Sequence, residues 1–481
     1  MAPPLHIGNA SAFWGDSNDA PAALVRQAGD LDFLTLDYLA EVSMSILAKQ
    51  RQRDPSLGYA RDFIEVIRSL APFWRAGRRL RIVANAGGLN PQGCADACAA
   101  ALREAGCANL KIATVSGDDV LPALRGAHER DPQTAEFCHL ETHAPLATVI
   151  DRIVTANAYV GAGPVVEALG RGADIVITGR LADPSLTVAP CIGHFGWSAD
   201  DYRRIAGATV AGHLIECGTQ VTGGISADWL NIPDPANIGY PIVEIFEDGS
   251  CVVTKPPGTG GRVDERTVKE QLLYEIGDPA NYLSPDATVS FLTLHVEDQG
   301  NNRVRVSGAS GSTPPGQYKV SATYRAGFRA SGMLAMFGRG AVEKARRCGE
   351  IVRQRLASAG MEPARYHVEC IGDGAVTGIG GLSSSGELME TMLRISVADE
   401  RREVVEKFAR EMAPLVTSGP PGTTGYAEGR PPVREVYGYW PTLIPRERVT
   451  MKVEVCSVGL QMDADGAFEE IAAKKRKRHK K

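Results

Sequence analysis

The sequence predicts an α/β fold, with an N-terminal doubly wound, mostly parallel sheet followed by an α+β domain with antiparallel strands. Three observations predict it. Apolar strand-like runs alternate with helix-like stretches through the first half of the chain. A polar loop rich in Asn, Asp, Ser or Gly follows each of five such runs. Beyond about Gly239 the texture changes to residue-by-residue alternation around turn signals. Strands that alternate with helices need crossover connections, which pair the strands in parallel and cover the sheet with helices. This reading places domains at 1–238 and 239–460, with a C-terminal segment at 461–481 that ends in a disordered basic tail.

Taken in order, the parallel strands are expected at 5–8, 33–36, 81–84, 110–115 and 174–178. The helices among them are expected at 20–28, 41–52, 59–70, 93–105, 120–129 and 163–169. Helix 93–105 is the clearest. Cys94, Cys98, Ala101 and Leu102 share an apolar face, and Gly106 stops the helix just past its end. Pro91 suits the first helical position, with Asn90 as its cap. Asp118, and Ser17 or Asp19, read as caps of the helices that follow them. Asp183, before Pro184, could cap a helix at 185–192 in the same way. In the second half, 241–254 alternates around Asp248-Gly249, a strong hairpin signal. Strands follow at 288–296, 303–306 and 318–324, and long helices at 340–359 and 399–412. The stretch 418–426 holds too much Gly and Pro for either element.

Composition narrows the function. A chain of 481 residues with 44% hydrophobic and 23% charged residues can bury a large core without disulfides. A formal net charge of -5 gives no electrostatic case for nucleic acid. Only the tail from Lys474 to Lys481 is strongly basic, and it is read as a solvated end. No apolar run is long enough for a membrane span, and the start lacks a secretory signal, so a cytoplasmic protein is expected. Ten scattered cysteines fit reduced thiols. Cys94 and Cys98 lack His or Cys partners and read as core residues, with no metal and no cofactor expected.

In an open α/β sheet, the loops that leave the carboxyl ends of the strands gather at one edge, where ligands bind. Those loops carry Asn9, Ser11 and Asp16, then Asp37, then Asn85, Gly87, Gly88 and Asn90. They continue with Ser116, and with Thr178, Arg180, Asp183 and Ser185. Capping explains several of these residues but not an arginine, which has no acceptor. The fork of Arg180 suits a carboxylate or phosphate, and a salt bridge to Asp183 or Asp16 is the structural alternative. The amides of Gly87 and Gly88, just before a helix, could cradle an anion. No dinucleotide or P-loop fingerprint is present. Further on, His213 and Glu216 share a helix face ahead of a glycine turn that holds Cys217, Thr222 and Gly223.

Six stretches go together: Gly8-Asn-Ala-Ser-Ala-Phe-Trp-Gly-Asp16, Leu36-Asp-Tyr-Leu-Ala-Glu41 and Ala84-Asn-Ala-Gly-Gly-Leu-Asn-Pro91 in the first loops. Ile177-Thr-Gly-Arg-Leu-Ala-Asp183, Glu216-Cys-Gly-Thr-Gln-Val-Thr-Gly-Gly224 and Gly419-Pro-Pro-Gly-Thr-Thr-Gly-Tyr426 complete the set. In this order, from about residue 5 to 445, the chain resembles the acyclic terpene utilisation (AtuA) family. The resemblance implies a place in the degradation of citronellol and geraniol through acyl-CoA intermediates, and does not imply a mechanism. Longer members resemble this chain followed by a small ferredoxin-like domain, so a separate subunit is expected to supply that domain or it is absent.

The leading expectation is a cofactor-independent lyase or hydratase on a small carboxylate or acyl-CoA. Arg180 would hold the anionic group, helped by Gly87 and Gly88. Asp183, Asp37, Glu216 and Asp16 are the expected acid–base groups, and Cys217 leaves a thiol mechanism open. Asn9, Ser11, Asn85, Asn90, Ser116, Thr178, Ser185, Thr222 and Gly223 would complete the substrate site. The alternative is a non-catalytic, acyl-CoA-binding accessory subunit of a carboxylase or degradation complex. A homo-oligomer is expected in either case.

Overall fold

A computed structural model describes residues 3–378, 388–426, 429–462 and 468–470. The basic tail expected to be disordered lies outside the described residues.

In chain order the first elements are β1 (Leu5–Asn9), α1 (Ala20–Gln27), β2 (Phe33–Leu36), α2 (Glu41–Arg53) and α3 (Asp62–Arg75). Next are β3 (Arg81–Ala84), α4 (Pro91–Glu104), β4 (Lys111–Ser116), α5 (Leu121–Arg130) and β5 (Ile153–Ala158). Then follow α6 (Gly163–Gly170), β6 (Ile175–Thr178), α7 (Ser185–Phe195), α8 (Tyr202–Glu216), β7 (Ile242–Ile245) and β8 (Cys251–Thr254). After α9 (Glu265–Leu273) come β9 (Tyr282–Leu283), β10 (Thr288–Ser290), β11 (His295–Asp298), β12 (Val304–Ser307) and β13 (Ser310–Ser312). The long β14 (Gln317–Phe337) leads to α10 (Ala341–Ser358), β15 (Arg365–Ile371), β16 (Glu390–Asp399) and α11 (Arg402–Glu411). Last are α12 (Leu415–Ser418), β17 (Thr423–Thr424), β18 (Arg434–Pro445) and β19 (Lys452–Ser457).

The five predicted apolar runs form the parallel centre of a ten-stranded sheet, in the order β1-β2-β3-β6-β4. Every residue of β2 and β6 is buried, as expected of strands covered on both sides. Helices α1, α3 and α4 share one apolar cluster with Leu34, Ile82, Ile175 and Ile177 of the sheet, and Cys94 and Cys98 are core residues within it. Helix α7 contacts β1 and β2, and α8 contacts β1, without joining that cluster. Asn90 caps α4 as predicted, accepting from the Gly93 amide at 3.0 Å, with Pro91 at the first helical position.

The change of texture at Gly239 marks a change of strand direction within the same sheet. The hairpin β7–β8 pairs with β1, antiparallel to it, and β12 and β11 extend that edge. At the other edge β19 pairs antiparallel with β4. By compactness the chain divides elsewhere, into Met1–Thr323 with Tyr439–Lys481 and Tyr324–Gly438. In the second unit β16 lies antiparallel between β15 and β14. Helices α10 and α11 pack against this sheet, giving a core of Leu334, Val352, Leu393, Ile395, Val405 and Phe408.

Candidate functional site

Because β1, β2, β3, β6 and β4 run parallel and adjacent, their carboxyl ends lie at one edge of the sheet. The loops that leave them are tied to one another by buried polar bonds. The Ser11 hydroxyl donates to the Asp37 carbonyl at 2.9 Å. The Asp37 carboxylate accepts from Asn85 Nδ2 at 2.7 Å and from the Leu39 amide at 3.1 Å. Asn85 Oδ1 in turn accepts from the Tyr38 amide at 2.6 Å. Arg180 Nη1 donates to the Leu39 carbonyl and, at 2.8 Å, to Asp183 Oδ1. Ser11, Asp37, Asn85, Arg180 and Asp183 are thus brought together as the loop pattern predicts.

Two sequence readings need correction here. Asp118, expected to cap a helix, instead accepts from the Arg180 amide and from Asn157 Nδ2, both at 2.8 Å, while α5 starts without a side-chain cap. Asp183 and Asp19 likewise cap nothing. A polar residue before a helix suits a cap, but Asp118 and Asp183 are taken up by Arg180, while Asp19 is exposed and makes no cap bond. The second correction concerns the anion cradle. The Gly87 amide donates to the Thr178 carbonyl at 3.1 Å and the Gly88 amide to the Asn85 carbonyl at 3.3 Å, so the turn itself uses both amides. A Cβ at Gly88 would lie 2.3 Å from the Leu47 side chain, which gives these glycines a packing role.

Arg180 points inward, its side chain 2% exposed, with its guanidinium 4.1 Å above the Tyr159 ring. Burial opposes its charge, but Asp183, Tyr159 and Asp37 outweigh burial and hold it well above its ordinary value. Of the two alternatives open to the sequence, the observed contact is the salt bridge to Asp183. That carboxylate, one third exposed, is the part of the pair that reaches solvent. Burial, then the charge of Asp183, hold the Asp37 carboxyl well above the carboxylate range, against the pull of Arg180 and Asn85. Burial also pushes Asp118 up to about 6.

A second buried group lies at the end of α8. His213 Nδ1 is 2.9 Å from Glu216 Oε1, as the shared helix face predicts, and His213 Nε2 is 2.8 Å from the Gln271 carbonyl. Asn9 Nδ2 donates to the carbonyls of Ile215 and Glu216, which fixes the helix end. Burial raises the Glu216 carboxyl and His213 lowers it, while Asp183 and Glu275 raise it further. Burial, then Glu216, hold the Cys217 thiol far above its ordinary value, which keeps it protonated and unsuited to nucleophilic attack.

Beside these groups is a cavity of about 450 Å³, lined by Asp183, Glu275, Lys319, Tyr159, Tyr282 and the apolar Leu140 and Leu443. Of the predicted site residues Asp183 alone lines it. Asp16 bonds the Ala12 amide and the Tyr240 hydroxyl, and Ser185 bonds Asp286. Thr222 bonds the Thr219 and Gly239 carbonyls, next to Gly223 at φ 102°. Asn90 is occupied by its cap and by the Ser56 and Leu57 carbonyls. Ser116 closes β4 opposite Lys452, and the Thr178 hydroxyl bonds the Gly179 carbonyl. Sequence reasoning missed Tyr159, Glu275, Tyr282 and Lys319. Glu275 leaves one local trace in the fold, a left-handed φ of 60°, a conformation that favours glycine and is uncommon for glutamate. Among the described residues, no group of three or more His, Cys, Asp or Glu is placed to hold a metal ion.

The family model described as acyclic terpene utilisation family protein AtuA matches residues 5–455. No curated protein and no solved structure matches the chain.

Proposed function

The chain belongs to the acyclic terpene utilisation family, and on that footing we propose that it is a lyase that adds or removes water. Its substrate would be a small carboxylate or acyl-CoA of branched, isoprenoid type, handled without a cofactor. The observation that supports this reading is a single cavity that presents two carboxylates, Asp183 and Glu275, together with the cation of Lys319. Loss of water beside a carbonyl needs three things: a base for the α-proton, an acid for the departing hydroxyl, and positive charge for the oxygen that gathers electrons.

In this reading Asp183 takes the α-proton, Glu275 protonates the hydroxyl, and Lys319 faces the carboxylate or thioester oxygen. A C–H and a C–O bond break, a C=C bond forms, and water leaves. Hydration runs the same steps backwards. Arg180 then acts through Asp183, keeping it oriented, in place of gripping the substrate itself. Leu140 and Leu443 offer an apolar wall to a branched chain. The test is a thermal-shift screen of organic acids and CoA esters, followed by mass spectrometry of each hit after incubation with the protein. A stabilising compound should gain or lose the mass of one water with the wild type and not with Asp183→Asn. A compound that binds tightly and is returned unchanged would overturn the enzyme in favour of an accessory, acyl-CoA-binding subunit.

A further inference from the structure

We infer that His213 and Glu216 share one proton and serve as the proton store of the cavity, with His213 as the residue that positions and tunes Glu216. The carbonyl of Gln271 can only accept, so His213 Nε2, 2.8 Å away, must carry a hydrogen. The other ring nitrogen lies 2.9 Å from Glu216 Oε1. A bare nitrogen facing an ionised carboxylate at that distance would set lone pair against lone pair with no solvent to relieve it. One proton therefore sits in the contact, as an imidazolium beside a carboxylate or as a neutral ring beside a carboxylic acid. The two side chains are only 2% and 10% exposed, so neither form exchanges the proton freely with water.

Three further observations point the same way. Glu216 Oε2 is buried and has no hydrogen-bond partner among the described residues, which leaves one oxygen open to hand the proton on. Asn9 pins the backbone at Glu216. The Tyr282 ring, 6.2 Å from the His213 ring, lines the cavity. The groups that act on the pair are Asp183 and Glu275 on Glu216, and Gln271 and Glu275 on His213. Burial works against charge on both members, and each is held above its ordinary value, as expected of two groups that titrate as one.

The role in turnover rests on the lyase reading above; the shared proton does not. Within that reading, the proton Asp183 takes from carbon returns to the acid by way of this pair between turnovers, so none is gained or lost.

The full chain labelled with ¹⁵N-histidine tests the pair by NMR across the neutral range, with His213 assigned by the signal absent from His213→Asn. Nε2 should be protonated at every pH, and Glu216→Gln should lower the midpoint of the Nδ1 transition by about one pH unit or more. A neutral ring with hydrogen on Nδ1 and a bare Nε2 would overturn the inference; if the variants fail to fold, the contacts of the His213 ring with Tyr282 and Phe291 assign its signal in the wild type. An unchanged midpoint in Glu216→Gln would overturn it too. In the turnover assay His213→Asn should shift the acid limb upwards, because His213 holds the Glu216 carboxyl down. An unmoved limb beside an intact NMR signature would remove the catalytic role. Absence of turnover with every compound would sink the lyase reading and leave the shared proton standing.

Discussion

Asp118 holds a carboxylate away from solvent between two donors, the Arg180 amide and Asn157 Nδ2, each at 2.8 Å. A Cβ on Gly179 would lie 2.2 Å from its Oδ1, so the bare backbone at 179 is what lets the carboxylate come so close. Burial is the largest influence on its ionisation and carries the pKa from 3.8 to about 6, against the pull of both donors. Between those two values the folded chain binds the proton more tightly than the unfolded chain. The stability from this group is therefore complete below about pH 4 and is lost as pH rises through about 6. Asp118→Asn keeps an oxygen for both donors and removes the titration. The stability difference between wild type and variant, from urea unfolding, should move in the variant's favour by on the order of 2–3 kcal/mol across that window. A difference that stays flat with pH would show that Asp118 titrates as an ordinary surface carboxylate. Capping propensity, which is local, made Asp118 look like a helix cap; its partners Asn157 and Arg180 are 39 and 62 residues away in sequence.

The strand β19 illustrates what the elements add. It lies along β4 in register from Lys452 opposite Ser116 to Ser457 opposite Lys111, and covers what would be an open parallel edge. Side chains reinforce it: Arg171 Nη1 donates to the Val453 carbonyl at 2.8 Å and Arg103 Nη1 to the Val458 carbonyl at 3.1 Å. A chain ended after Arg448 should lose about 1 kcal/mol for each ladder bond removed and expose β4 as a pairing template. Size-exclusion chromatography should then show self-association, and a monodisperse, equally stable product would refute the role given to this strand. Strands of this kind were the hardest to read. The buried parallel runs announced themselves by continuous apolar character, and all five lie where the sequence placed them. By contrast β5 carries Thr155 and Asn157 in its middle, which broke the apolar pattern, although both side chains are buried. Thr155 meets the Thr323 hydroxyl at 2.7 Å, a partner no local pattern reveals. Of the cavity's lining residues, only Asp183 was among those the sequence pointed to. The residues on parallel-strand loops were legible, whereas Glu275, Tyr282 and Lys319 come from the region after α8, where sequence texture registers only the strands and not what they face.

For the whole molecule, the order in which segments fill the cores decides which parts can fold alone. Sequence texture changes at Gly239, but β7, β8, β12 and β11 carry the first sheet on past that point, so a change of pairing direction can mimic a boundary. The compact unit of Met1–Thr323 is completed by Tyr439–Lys481, which brings β19 back to β4. This unit is therefore discontinuous in sequence. The apolar cluster described for the unit Tyr324–Gly438 is drawn from its own elements: Leu334, Leu393 and Ile395 of the sheet, Val352 and Leu356 of α10, and Val405 and Phe408 of α11. A self-contained apolar core on an antiparallel sheet, with local helices over it, is what an independently folding domain requires. Residues 324–438 expressed alone should accordingly show a cooperative thermal transition and slow amide exchange centred on β14, β16 and α10. The fragment 1–323, which lacks β19, should show neither. A non-cooperative 324–438 that binds hydrophobic dye would mean that its core depends on contacts from the rest of the chain, and the two units would then have to be treated as one folding body.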